Sequence, residues 1–171
     1  MKTFSLIFSL IAVSLMPKSA AACMEPEVPT FNQSLKAASS VFIFRITSIG
    51  LTDLTKGSSS LSGRIEIVET LKGKPEFKHF THHAFECGRL NLQVGRYYVV
   101  ATTQKGPVLN LVPGNKSALD ITSDVLDSRP LPKGRFITRT IRGAIKGEPL
   151  DNDLIRELSA YIYAFPPSPS E

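Results

Sequence analysis

The stretch "VFIFRITSI", Val41 to Ile49, decides how this chain folds. It is dense in β-branched and aromatic side chains and has no helical spacing of its apolar positions, so it predicts a buried strand. Downstream, "RIEIVETL" (Arg64 to Leu71) alternates, with Ile65, Ile67 and Glu69 on one face and Glu66, Val68 and Thr70 on the other. The intervening "TKGSSSLSG" (Thr55 to Gly63) is flexible and makes little demand on a core, which predicts a hairpin with a long loop.

Three further strands follow from the same logic. "KGKPE" is a turn built on Gly73 and Pro75, and Phe77 to Phe85 is a third strand candidate. Gly95 divides the run "LNLQVGRYYVVATT", leaving Tyr97 to Ala101 as the most strand-like segment of the chain. After "KGP", Val108 to Val112 is the fifth candidate. Five short strands punctuated by Gly, Pro and Ser predict a mainly β fold, a small closed or nearly closed antiparallel barrel.

The C-terminal third has a different texture. Asp151 to Ala164 places Leu154, Leu158, Tyr161 and Ile162 at spacings of three and four behind N-capping residues, predicting an amphipathic helix stopped by Pro166 and Pro167. Ser117 to Leu126 and Phe136 to Ile145 are weaker helix candidates, and residues 166–171 read as a frayed tail.

At the other end, Lys2 precedes an uncharged run from Phe4 to Met16, then Pro17, Lys18 and the small residues Ser19 to Ala22. This is the pattern of a secretory signal, with Ala20, Ala21 and Ala22 suited to cleavage before Cys23. The run is too short to cross a hydrocarbon core of roughly 30 Å. The expected product is secreted, or held in a periplasm or cell envelope. Removing residues 1–22 from the 171 leaves 149, one domain expected over residues 23–165. The formal charge of +5 becomes +3 on loss of Lys2 and Lys18. Its basic residues are spread out and read as a solvated surface rather than a nucleic-acid footprint, although Lys133 to Lys146 is locally basic and suits an acidic partner or a membrane surface.

In an exported chain the two cysteines, Cys23 and Cys87, usually pair. Such a bond closes a loop of 65 residues, counting both cysteines, and contributes ~4 kcal/mol on the chain-entropy estimate. Two independent buried thiols are the alternative. A third places a lipid on Cys23, since lipoprotein signals also end before a cysteine; Ala20 stands where such signals carry a bulky aliphatic residue.

"HFTHH" holds all three histidines, His79, His82 and His83, near Glu86 and Cys87. On a strand His79 and His83 face one way and His82 the other, so no three converge, and the segment predicts a solvent-facing or edge strand rather than a metal centre. A thiol or metal enzyme built on His79, His83 and Cys87 would need an orienting group and an oxyanion site that no motif supplies. No GxSxG, HExxH, P-loop or dinucleotide fingerprint occurs, which favours a binding protein without a cofactor over an enzyme. Asn32-Gln33-Ser34 and Asn115-Lys116-Ser117 match the glycosylation sequon.

Taken in order, a cysteine at the mature start, "AASSVFIFRITSI", "IEIVETLKGKP", "FECGRLNLQVGRYYVVAT" and "GPVLNLV" resemble the netrin-module and tissue-inhibitor-of-metalloproteinases (TIMP-like) superfamily. The resemblance covers Cys23 to Val112, about three-fifths of the mature chain. It implies a five-stranded OB-type barrel with helices beside it, and a Cys23–Cys87 disulfide fixing the mature N-terminus. In inhibitory members the α-amine and carbonyl of the first cysteine chelate the catalytic zinc of a target protease, and the next side chain enters its specificity pocket. Those roles fall here on Cys23 and Met24, with a zinc metalloprotease as the partner. Inhibitory members carry a second cysteine two residues after the first, where this chain has Glu25; its usual partner after the fifth strand is replaced by "VPGNKS".

Overall fold

The computed structural model describes residues 30–53, 59–84, 90–111, 118–128 and 135–150. Cys23, Met24, Cys87 and the helix expected over Asp151 to Ala164 lie outside them. The order is α1 (Phe31–Ala37), β1 (Ser40–Asp53), β2 (Ser59–Lys72), β3 (His79–Ala84), β4 (Tyr97–Thr102), β5 (Val108–Leu111), β6 (Ala118–Asp120), α2 (Thr122–Val125) and α3 (Phe136–Ile145). The fold is mainly β, as expected. The strands form a single curled half-barrel sheet in the order β5-β3-β2-β1-β4-β6. All its neighbours are antiparallel except β3 and β5, which run parallel.

β1 explains the arrangement. Val41, Phe42, Ile43 and Phe44 are all fully buried. Alternate side chains of a strand point to opposite faces, so a run buried at every position must be covered on both. Phe42, Phe44 and Ile46 enter an inner core with Ile65, Phe77, Phe80, Tyr98, Val100 and Leu109. There Phe42 stacks on Phe77 at 5.4 Å between centroids and Phe44 on Tyr98 at 5.6 Å. Val41 and Ile43 enter an outer core with Val99, Ala101 and Leu119, closed by Phe31 and Leu35 of α1 and Ile137 and Ile141 of α3.

The curl has a local cause. Opposite β2, the pairing passes from Ile43 with Glu69 to Phe44 with Ile67, leaving Val68 as an extra residue; Thr47 is extra on β1. Such bulges bend and twist long strands toward closure. The Val68 bulge also reverses the alternation expected from the sequence. Ile65 and Ile67 pack against the inner core, whereas Glu69 lies opposite Ile43 on the outer face.

Other expectations are corrected by pairing. The long loop before Gly63 is shorter than predicted, because Ser59 to Arg64 pairs with β3 and so belongs to β2. The third strand begins at His79 rather than Phe77, and Phe77 is buried ahead of it. Ser117 to Leu126 was expected to be helical, but Ala118–Asp120 is a sixth strand on the free edge of β4, and the α2 helix covers only Thr122–Val125. Its Ala118 and Leu119 are buried in the inner and outer cores respectively, a demand that only a strand meets. α1 went unpredicted, although Thr30 and Gln33 form a capping box, with Thr30 N–H donating to Gln33 Oε1 at 2.7 Å and Gln33 N–H to Thr30 Oγ1 at 3.3 Å. α3 spans Phe136–Ile145, as predicted.

α3 is held from two sides. Its N-cap residue, Arg135, is left-handed at φ 52° and supplies no cap bond. Buried Asp124 of α2 takes that role, accepting from Ile137 N–H at 2.7 Å, Thr138 N–H at 2.9 Å and Thr138 Oγ1–H at 2.6 Å. From β2, the Glu69 carboxylate pairs with Arg135 at 2.8 Å and with Arg142.

Gly63 marks the tightest crossing of the sheet. A Cβ there would collide with the Ser48 carbonyl oxygen and lie 2.6 Å from Phe80 Cε1, whereas one at Gly50 meets nothing within 4 Å. Gly63→Ala is expected to lower stability by about 1–3 kcal/mol, and Gly50→Ala to change it by less than about 0.5 kcal/mol. Urea denaturation of both variants with an unchanged slope checks the pair.

Candidate functional site

Cys87, the expected disulfide partner of Cys23, lies outside the described residues, and the described chain on either side of it is fastened. Before it stands His82 of β3, which is fully buried. Its Nδ1 lies 3.1 Å from the Leu111 carbonyl oxygen, and its Nε2 lies 3.4 Å from Leu90 N–H. A carbonyl can only accept and an amide N–H can only donate. His82 is therefore the neutral tautomer that carries its proton on Nδ1. One imidazole thus ties β3 to the end of β5 and to the first described residue after Cys87.

A second fastening secures residues 90–95. Tyr98 is buried in the inner core; its hydroxyl donates to the Asn91 carbonyl at 2.9 Å and accepts Gln93 N–H at 3.0 Å. Burial, opposed by the Gln93 bond, pushes its pKa up to about 12. Gly95, at φ 86°, turns the chain into β4, and its N–H donates to the Ile46 carbonyl at 2.8 Å.

The histidines divide as the strand geometry requires. His79 and His83 are exposed on one face, four residues and so roughly 13 Å apart along β3. His83 Nδ1 lies 2.7 Å from Ser60 Oγ. His82 corrects the expectation of a solvent-facing segment. Its face is the inner one, shared with Phe80, and the missing signal was the need of the Leu90 amide and Leu111 carbonyl for a partner away from water. Among the described residues no group of His, Cys, Asp or Glu is placed to hold a metal ion. The structure therefore brings none of the three histidines together.

Other charged groups are committed to structure. Arg96 bonds Asp120 at 2.8 Å, which raises the guanidinium pKa, and the other oxygen of Asp120 accepts Thr122 N–H at 2.9 Å to start α2. In the basic stretch singled out by the sequence, Arg135 and Arg142 are spent on Glu69. No helix among the described residues is long and apolar enough to cross a membrane.

The described residues form two clefts that bear on the sequence reading. One, of about 460 Å³, lies between α1 and the end of α3, lined by Leu35, Ala144, Ile145 and Leu150 with Lys36 and Lys72 at its edge. The other, of about 290 Å³, lies where the chain enters β1 beside the β2–β3 and β4–β5 connections, lined by Ser39, Ser40, Lys74, Glu76, Gln104 and Lys105.

Burial lowers the His82 pKa, and neighbouring His83 acts in the same direction against the Leu111 bond. With the folded value below the ordinary 6.5, the unfolded chain takes up the proton first. This contribution to stability is therefore complete above about pH 6.5 and is lost as the pH falls through the folded value. His82→Gln is expected to cost about 1–3 kcal/mol at neutral pH. It should also flatten the decline of the urea midpoint between neutral and acid pH; an unchanged decline contradicts the assignment. No protein-family model matches this chain, and no curated protein matches it.

Proposed function

We propose that this chain is an exported, non-enzymatic binding module built on an OB-type barrel of the netrin and TIMP-like kind, with metalloprotease inhibition through Cys23 as its sharpest form. The observation that carries the reading is the strand order. A five-stranded Greek-key barrel of OB type needs the succession β5-β3-β2-β1-β4, with β5 beside β3, and the sheet contains that succession with β3 and β5 parallel. In this reading β6 is an addition to the edge of β4. The resemblance of "CG" and "GRYYVVAT" to the superfamily supplies the rest.

The fastenings around Cys87 support the same role. A disulfide from Cys23 transmits rigidity to the N-terminus only if its other end is itself held. His82 and Tyr98 hold the chain that follows Cys87. A pre-ordered terminus loses less conformational entropy on binding than a free one. The α-amine and carbonyl of Cys23 are acceptable zinc ligands, and displacing a zinc-bound water removes a metalloprotease's nucleophile. Met24, long and unbranched, suits an apolar specificity pocket. Glu25 adds a carboxylate beside it.

The test is direct. Folded protein with a verified Cys23 N-terminus is expected to slow at least one member of a panel of zinc endopeptidases. Acetylating its α-amine should abolish the effect, because an amide nitrogen no longer donates a lone pair to zinc. A folded protein that slows none of the panel removes the inhibitory form.

A further inference from the structure

Three of the described arginines are committed to ion pairs, and four of the described lysines gather at one end of the sheet. Arg96, Arg135 and Arg142 are each paired with a carboxylate. Lys72, Lys74, Lys78 and Lys105 have no ion pair among the described residues. All four belong to one end of the sheet, at the close of β2 and in the β2–β3 and β4–β5 connections. Glu76 is the single carboxylate within those connections.

This end is rigid where it matters. The Pro107 carbonyl accepts from both Lys78 N–H at 2.9 Å and His79 N–H at 3.1 Å, joining the two lysine-bearing connections to each other. Gln104 grips the open edge of β5, donating to the Asn110 carbonyl at 2.9 Å and accepting Asn110 N–H at 2.9 Å, in place of a neighbouring strand. Ser39 N–H bonds the Thr102 carbonyl at 3.1 Å and secures the entry to β1. Between these tied segments lies the cleft of about 290 Å³, with Lys74 and Lys105 in its walls.

We propose that this lysine-rimmed cleft is a docking site for an acidic segment of a protein partner, one carboxylate entering between Lys74 and Lys105 while others meet Lys72 and Lys78. The chemistry selects among polyanions. Single-stranded nucleic acid is held by cations on its phosphates together with aromatic side chains on which its bases stack, and no aromatic is exposed in these connections, where Phe77 is buried. A membrane surface needs apolar anchors beside the charges, and residues 72–78 and 103–107 expose no large apolar side chain. The cleft is concave and polar, with Ser40 beside the two lysines and Glu76 as the one carboxylate in its lining. The proposal goes beyond the reading of the N-terminus and does not depend on Cys23.

The experiment titrates the folded full-length mature chain into a short fluorescein-labelled polyglutamate peptide at low ionic strength and follows anisotropy. Phosphatidylglycerol vesicles and a single-stranded oligonucleotide are run alongside. The peptide is expected to bind in preference to both, and to weaken with added salt. Lys74→Glu with Lys105→Glu should reduce its affinity by about tenfold or more. Arg139→Glu with Lys146→Glu changes the net charge equally and should reduce it by less than about twofold. Equal losses in the two variants, no binding of the peptide, or tighter binding of vesicles or oligonucleotide would overturn the proposal. Retention of the far-UV circular dichroism spectrum confirms that each variant is folded.

Discussion

The first half of β1, Ser40 to Phe44, is hydrogen-bonded along both edges and buried on both faces, and the other elements are disposed so as to satisfy it. Its backbone groups find partners in β2 on one side and β4 on the other. Its side chains from Val41 to Phe44 exclude water completely, each burial being worth about 1.5–3 kcal/mol. One face demands the inner aromatic core and the other demands α1 and α3. The bulges at Thr47 and Val68 let so long a strand pair curl around the inner core. Once Val68 has turned Glu69 outward, that carboxylate is placed to receive Arg135 and Arg142 and to hold α3 over the outer face.

Much of this was legible in the sequence, and the parts that were not have physical reasons. Strand existence followed from β-branched and aromatic runs between turn residues, and all five expected strands are present. Of the two weaker helix candidates, Phe136 to Ile145 is helix α3. Bulges were invisible, because "RIEIVETL" alternates without interruption and the extra residue is set by pairing with β1. The β6 strand was invisible for a related reason: three residues carry no periodic signal, and only the free edge of β4 selects an extended form. α1 had a signal in the Thr30 and Gln33 capping pair, which precedes only seven helical residues.

The candidate site divides along the same line. That His79 and His83 face away from His82 follows from the period of a strand. That His82 lies inside, neutral and bonded through both nitrogens, depends on two backbone groups from distant segments. Likewise the basic stretch around α3 looked like a surface for partners, yet its arginines stabilise the fold. Lys74, Lys78 and Lys105, which have no ion pair among the described residues, sit instead on two connections brought together by β3 and β5. Charge in a sequence counts groups; the fold decides which remain available.

The proposed role rests on a Cys23–Cys87 disulfide beside a segment, Leu90 to Gln93, that His82 and Tyr98 hold. It is tested most directly by the intact mass of the mature protein, measured with and without reductant and alkylating agent. The expected result is a chain beginning at Cys23 that takes up no alkylating group until reduced, and two afterwards. A chain carrying a fatty-acyl mass on its N-terminal peptide, or one whose Cys87 is alkylated without reductant, would contradict it.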